Sequence, residues 1–315
     1  MLNPAHLVAD ALGEELVRTY RDLFGAHEPD YAAIARTAAK LVVERIANSD
    51  ALYHDSHHTV MVTLVGQAIF RGRMFVEQLR EIDWLHFTVA LLAHDIGYLR
   101  GICPGDTEDT FVINERGDTV RPPRGASDAF LTPHHIERGK IFVRHRCAQM
   151  PLLDAERIAR AIELTRFPVP QDNDHAETDT EAGLVRAADL IGQLADPFYP
   201  RKLNALYHEF AETGVAERFG YGSPADVAER YPKLFWEKVE PYIGDALEHL
   251  ARTVEGSSGS PISTPTCSSR STHAGGSVRS AATGRGEDNG KQNRYGRVRT
   301  CGDRHQPAVG PQASL

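Results

Sequence analysis

The chain predicts an all-α protein with a small β-hairpin inserted directly after a His-Asp dipeptide. Three observations carry this. Apolar residues recur at three-to-four spacing through most of residues 1–255. One segment, Asp83 to Ile96, is apolar nearly all round, as a central buried helix would be. Gly, Pro and Asp break the pattern only in 101–131.

The elements follow in order. His6 to Leu23 and Tyr31 to Ile46 carry helical spacing, the second through Tyr31, Ile34, Ala38, Leu41, Val42 and Ile46. Ser56 to Leu79 comes next, with Val60, Leu64, Ile69 and Phe75 among its apolar positions, and Asp83 to Ile96 follows. In the interruption, Thr110–Asn114 and Thr119–Arg121 flank Glu115-Arg-Gly-Asp118, which predicts a hairpin. Its place after the dipeptide suggests a lid or substrate-selecting loop over the site. Thr132-Pro133 reads as N-cap and first residue of a helix to about Arg146. Asp154 to Arg166 and Thr180 to Leu194 are the next helices, with a pair between Arg201 and Arg252. Residues 256–315 are dominated by Ser, Gly, Thr, Pro, Arg and Asn and are expected to be a disordered, low-complexity tail. No internal repeat is visible.

Composition bounds the function. The 315 residues are 41% hydrophobic and 25% charged, ordinary for a globular protein. No apolar run approaches the roughly 18–20 residues of a membrane span. The start, Met-Leu-Asn-Pro-Ala-His, lacks the basic and apolar regions of a signal peptide, so a cytoplasmic protein is expected. Cys103, Cys147, Cys267 and Cys301 show no paired spacing and read as free thiols. Residues 256–315 hold eight Lys and Arg against three Asp and Glu; the remainder holds 27 against 40, a net charge of −13. So acidic a body argues against nucleic acid as a partner, since neutralising phosphates takes clustered Lys and Arg. A small phosphate ester met by a metal is not disfavoured.

His94-Asp95 ends the apolar run Leu85–Ala93. Burying two such groups without partners costs roughly 2–7 kcal/mol each, and a divalent cation offsets that. His58, within Tyr53-His54-Asp55-Ser56-His57-His58, and Asp189, ending Ala187-Ala188-Asp189, complete two imidazoles and two carboxylates. Divalent first-row metals and Mg²⁺ accept such a mixed set.

The ordered set His58, His94-Asp95, Asp189 resembles the HD-domain superfamily of metal-dependent phosphohydrolases, over about residues 30–200. Tyr53-His54-Asp55-x-x-His58 is similar to the Tyr-His-Asn-x-x-His element of its cyclic-nucleotide phosphodiesterases. The resemblance implies an HD-type helical bundle with a core at about 30–200 and C-terminal helices at 201–253. It implies one or two ions of Mn, Mg, Fe or Zn, with Asp95 bridging them if two, and His58 rather than His57 as ligand. It implies His54 as proton donor. His135, followed by Gly139, resembles the His-x-x-x-Gly element of HD-GYP phosphodiesterases and would serve a second metal, with His134 as the register alternative. Asp196 competes with Asp189 but reads better as a cap for a helix opening at Pro197. Arg166 could bind phosphate through its forked donors, or sit as a charge at a helix end; Phe167 could stack on a base or pack in the core. The chain has no Gly-Tyr-Pro motif. It carries Tyr98 where cyclic-nucleotide phosphodiesterases have a further His, and Asp55 where they have Asn.

The expected function is a metal-dependent phosphohydrolase acting on a small phosphate ester, with nucleotides and cyclic nucleotides among the candidates. The alternatives are a non-catalytic HD-type module sensing a nucleotide or metal, and a metal-dependent oxygenase.

Overall fold

In the computed structural model, residues 3–253 are described; the expectation of a disordered tail at 256–315 lies outside them. The helices are α1 (Pro4–Phe24), α2 (Pro29–Ile46), α3 (Ser56–Arg73), α4 (Glu81–Ala93), α5 (His135–Cys147), α6 (Ala155–Leu164), α7 (Glu181–Ala195), α8 (Tyr199–Glu212), α9 (Val215–Phe219), α10 (Pro224–Leu234) and α11 (Gly244–Leu250). The fold is all-α, with one small antiparallel hairpin. Its strands β1 (Phe111–Val112) and β2 (Thr119–Val120) pair Phe111 with Val120 and Val112 with Thr119, within the expected segments.

Helix α4 is the centre. Every residue from Trp84 to Ala93 is buried, and α2, α3, α6 and α7 all pack on it. Burying a Leu side chain contributes roughly 1.5–3 kcal/mol, and Leu85, Leu91 and Leu92 are fully buried. The polar groups in this core are satisfied. Trp84 Nε1 donates to Gln67 (2.6 Å), and Gln67 Nε2 donates to Thr88 (3.1 Å). His86 lies 2.7 Å from the Ile82 carbonyl through Nδ1 and accepts from the Asp154 N–H through Nε2. A buried histidine on α4 is therefore not in itself a ligand.

Helix starts follow side-chain caps. Asp55 caps α3 by accepting from the His58 N–H (2.9 Å), Asp154 caps α6, and Thr180 caps α7. Three expected boundaries shift. Helix α3 stops at Arg73. The segment before α5 is a 3₁₀ turn over Asp128–His134, capped by Ser127, so Thr132 is not the N-cap of α5; its hydroxyl donates to the Ala129 carbonyl. The C-terminal region holds four α-helices rather than two, because Gly214 and Gly220 adopt left-handed backbone on either side of α9. A π-helical turn, Phe235–Val239, follows α10. Tyr53, Tyr199, Leu206, Ala216, Tyr221 and Val227 form a second, smaller apolar cluster beside the main core.

Two glycines set the approaches that matter. A Cβ on Gly192 would fall 2.9 Å from the Val62 Cα, so α7 lies directly against α3. A Cβ on Gly97 would fall 1.8 Å from the His135 carbonyl oxygen, so the turn after His94-Asp95 is pressed onto the start of α5. A Cβ on Gly139 would meet an Ile162 methyl at 3.3 Å as its nearest neighbour, so Gly97 is the tighter of the two positions here.

Candidate metal centre

Four side chains from three helices converge. His58 stands in the first turn of α3, held by the Asp55 cap on its own N–H. His94 is the C-cap of α4 and Asp95 begins the turn after it. Asp189 comes from α7. The Nε2 atoms of His58 and His94 face each other at 3.4 Å. Asp95 Oδ2 lies 3.3 Å from His58 Nε2 and 3.2 Å from His94 Nε2. Asp189 Oδ1 lies 3.2 Å and 3.7 Å from the same two nitrogens. His58, His94 and Asp95 are buried and offer ligand atoms within 4.8 Å of one another.

The second nitrogen of His94, Nδ1, lies 2.8 Å from the Leu91 carbonyl. A proton on Nδ1 leaves the Nε2 lone pair directed at the cluster, the arrangement a metal-ligating imidazole needs. Asp95 Oδ2 is buried with no hydrogen-bond partner: the nearby histidines are at ion-pair distance but not aligned to donate. Two imidazole nitrogens in contact and an orphaned buried carboxylate oxygen fit a divalent cation. With the side chains alone, burial opposes charge on His58, yet Asp189 and Asp95 lift its imidazole to about 10. Burial likewise works to raise the Asp95 carboxyl, and His94 and His58 overcome it and hold it well below its usual range. The cluster demands a positive charge.

His57 points away, to Asp196 (3.3 Å) and Lys202 (3.0 Å), which leaves His58 in the cluster. Asp196 accepts from the Phe198 N–H and pairs with Lys202. It ends α7 and does not cap the next helix as expected: α8 opens at Tyr199, with Phe198 as N-cap, no side-chain cap and Pro200 rather than Pro197 in its first turn.

His54 sits just before α3. Its Nδ1 lies 2.7 Å from Glu209 Oε2, and its Nε2 faces the Tyr98 hydroxyl at 3.2 Å. Glu209 Oε1 accepts from the Tyr53 N–H at 2.6 Å. One buried carboxylate on α8 therefore fixes both the strand of chain before α3 and the His54 ring. Burial opposes the His54 cation, but Glu209 outweighs it and raises the imidazole above its ordinary value. Glu209 gave no signal in the sequence: an acid on an amphipathic helix, 155 residues from His54, resembles any solvated one.

Tyr98 lies between two histidines, stacked on His54 (centroids 4.2 Å apart) and on His135 (4.4 Å). The structure brings His58, His94, Asp95 and Asp189 together; among the described residues the group within ligand reach is His58, His94 and Asp95, and His135 is not in it. His135 Nδ1 faces the Thr132 carbonyl, and burial pushes its imidazole down to about 4. Its ring lines the same cavity, whereas that of His134 does not. Arg166 is occupied: Nε and Nη2 donate to Glu163, and Nη2 also to Glu137. It lines the cavity, as does half-exposed Phe167, which is not part of the core.

The cluster forms the floor of a cavity of about 680 Å³, ample for a drug-sized ligand. The hairpin does not cover it: no residue from 101 to 126 lines the cavity, and α8, α9 and α10 form the roof instead. The hairpin is drawn aside by Arg138, which is fully buried and donates to the Val112 carbonyl.

An all-α fold with a buried His/His/Asp group able to bind a metal, opening on a roofed cavity, defines the protein's class. A family model described as Npun_R2479-like matches residues 2–260, and the chain belongs to that family. No curated protein and no solved structure matches it. Among the described residues no helix is long and apolar enough to cross a membrane.

Proposed function

We propose that the protein is a metal-dependent phosphohydrolase that cleaves a small phosphate ester, as the resemblance of its His58, His94-Asp95, Asp189 set to the HD-domain superfamily implies. The observation that carries this reading is the unpaired, buried Asp95 Oδ2 between two imidazole nitrogens at the floor of a ligand-sized cavity. His58, His94, Asp95 and Asp189 would hold a divalent cation, Mn²⁺, Mg²⁺, Fe²⁺ or Zn²⁺. Such an ion supplies Lewis acidity toward a phosphoryl oxygen and toward an attacking water.

The protein's own groups supply the rest. Hydrolysis adds a water oxygen to phosphorus, breaks the bond to the leaving oxygen, and requires a proton there. His54 lines the cavity and, with Nδ1–H held by Glu209, presents Nε2 as the proton-donating atom. Glu209 favours the imidazolium, the form that can donate the proton. Tyr98 holds the ring plane by stacking and by its hydroxyl.

The test is metal content and phosphate release by the full chain, stripped and reloaded with each of the four metals, on cyclic nucleotides, nucleoside mono-, di- and triphosphates and an aryl phosphate, beside Asp95→Ala. Turnover that needs metal and disappears in the variant supports the reading. A folded, metal-loaded protein that binds a phosphate compound but turns none over would be a sensor. A visible absorption band with bound iron and no phosphate release would point to oxygenase chemistry.

A further inference from the structure

The roof of the cavity differs from its floor in chemistry, and that difference bears on the substrate. Leu206, Phe210, Phe219, Tyr221, Val227 and Leu234 line it from α8, α9, α10 and the turn between α9 and α10. Phe210 and Phe219 both lie nearly parallel to Tyr221, with centroids 6.4 Å and 5.9 Å away. Two lining aromatics are left partly in water: Phe167 is 41% exposed and Phe219 38%. Large aromatics that line a cavity and also meet solvent are placed to meet an apolar partner.

Several of the polar donors near them are already engaged. Gln193 donates its amide to the Tyr199 hydroxyl (3.1 Å). Thr213 and Thr165 donate their hydroxyls to carbonyls of their own helices, at 2.9 Å and 2.8 Å. These groups are poorly free to read the edge of a nucleobase by donating to it. Cations are scarce as well. Arg166 is held by Glu163 and Glu137, and Arg218 is the other lining residue with a fixed positive charge. A chain of two or three phosphates would need more than one free cation beyond the metal.

Resting on the phosphohydrolase reading, we infer that the substrate is a one-phosphorus ester of an apolar, aromatic alcohol. Its phosphate lies at the His58–His94–Asp95–Asp189 floor and its ring system lies under α8–α10. Nucleoside polyphosphates and compact polar esters fit the same floor but leave the roof unfilled or facing charge it cannot neutralise. Hydrolysis of the preferred ester adds water across its P–O bond and releases the aromatic alcohol and inorganic phosphate, or a phosphomonoester from a diester.

The experiment compares kcat/KM of the metal-loaded full chain for 1-naphthyl phosphate, glycerol phosphate, AMP and ATP. It runs beside calorimetric binding of naphthylmethylphosphonate and methylphosphonate, which cannot be hydrolysed. Burying a two-ring body should favour the naphthyl compound over glycerol phosphate by roughly tenfold to a hundredfold, in turnover and in binding. Phe219→Ala and Phe167→Ala, at partly exposed positions, should each narrow that ratio about threefold or more. Equal or better turnover of glycerol phosphate, AMP or ATP overturns the inference and leaves the phosphohydrolase reading standing. No turnover of any ester removes that reading, and the phosphonates then decide alone: naphthylmethylphosphonate binding tenfold tighter supports the cavity's ligand class, and equal or absent binding overturns it.

Discussion

Two clusters of buried charge meet at Gly97, and they are closed in different ways. On one side Arg138 and Asp106 are both buried. Arg138 donates through Nε to the Gly97 carbonyl, through Nη1 to Asp106 and the Val112 carbonyl, and through Nη2 to Asp106 and the Leu99 carbonyl. All five of its N–H groups are used, and Asp106 also accepts from the N–H groups of Cys103 and Val112. On the other side stands Asp95, two residues before Gly97, with a buried oxygen that nothing donates to. The first cluster carries its own counter-charge and every donor is matched, so it is architecture and ties the hairpin to α5. The second sets two carboxylates against two imidazoles and leaves a buried oxygen without a donor, which makes it a group able to hold a cation. A buried carboxylate oxygen without a donor is therefore a functional signal in its own right, whereas a fully bonded one needs a second observation.

The comparison can be broken at several points, the largest effect first. Asp95→Ala should abolish metal binding and turnover while circular dichroism still reports the helices. The loss of metal affinity should exceed the roughly 10–100-fold typical of removing a partner outside the coordination sphere. Normal metal content in this variant would sink the distinction.

Arg138→Met acts on the closed cluster and leaves Asp106 buried without its partner. It should cost about 3–5 kcal/mol of unfolding free energy in denaturant titrations. The double variant Arg138→Met, Asp106→Leu should recover part of that loss, because no uncompensated charge remains.

Saturating metal should stabilise the native protein by about 2.7 kcal/mol at a hundred times its dissociation constant. It should leave Asp95→Ala unmoved, read as the shift in unfolding midpoint. An equal shift in both would mean that the metal binds elsewhere.

The smallest effect belongs to Glu209→Gln. Metal content should stay the same and turnover should fall about 10–100-fold. Glu209 raises the His54 imidazole, and His54 acts while protonated, so activity is lost as pH rises through its pKa. Removing the carboxylate lowers that pKa, and the alkaline limb of the kcat profile should move to lower pH. A limb that stays in place would take the proton-donor role from His54.

The floor was legible because its residues violate their surroundings. His94-Asp95 closes a helix that is otherwise apolar all round, and Asp189 sits among Ala187, Ala188 and Leu190, so residue type alone marked them. His58 was separable from His57 by register, and the structure agrees by turning His57 to Asp196. The hairpin strands were readable from turn chemistry, but their position was not: the Arg138 anchor that draws them off the cavity is one more Arg on a charged helix. The roof was hidden for a related reason. Leu206, Phe210 and Val227 look like any apolar face, and which face meets a cavity depends on α8–α10 packing over α3 and α7. Arg166 shows the converse, a residue with suitable chemistry that the fold pairs through Nε and Nη2 with Glu163 and Glu137, a pairing no sequence pattern signalled.

Glu209 grows from the roof yet sets the ring that serves the floor. That places an uneven constraint on change over generations. Faces of α8, α9 and α10 that meet the cavity can vary to suit a new ligand while the chemistry below stays intact. The helical turn carrying Glu209 has no such freedom, because a substitution there releases the His54 ring and the chain before α3 whatever the ligand. A lineage adapting this protein should drift through Phe210, Phe219 and Val227 while keeping one carboxylate in step with His54.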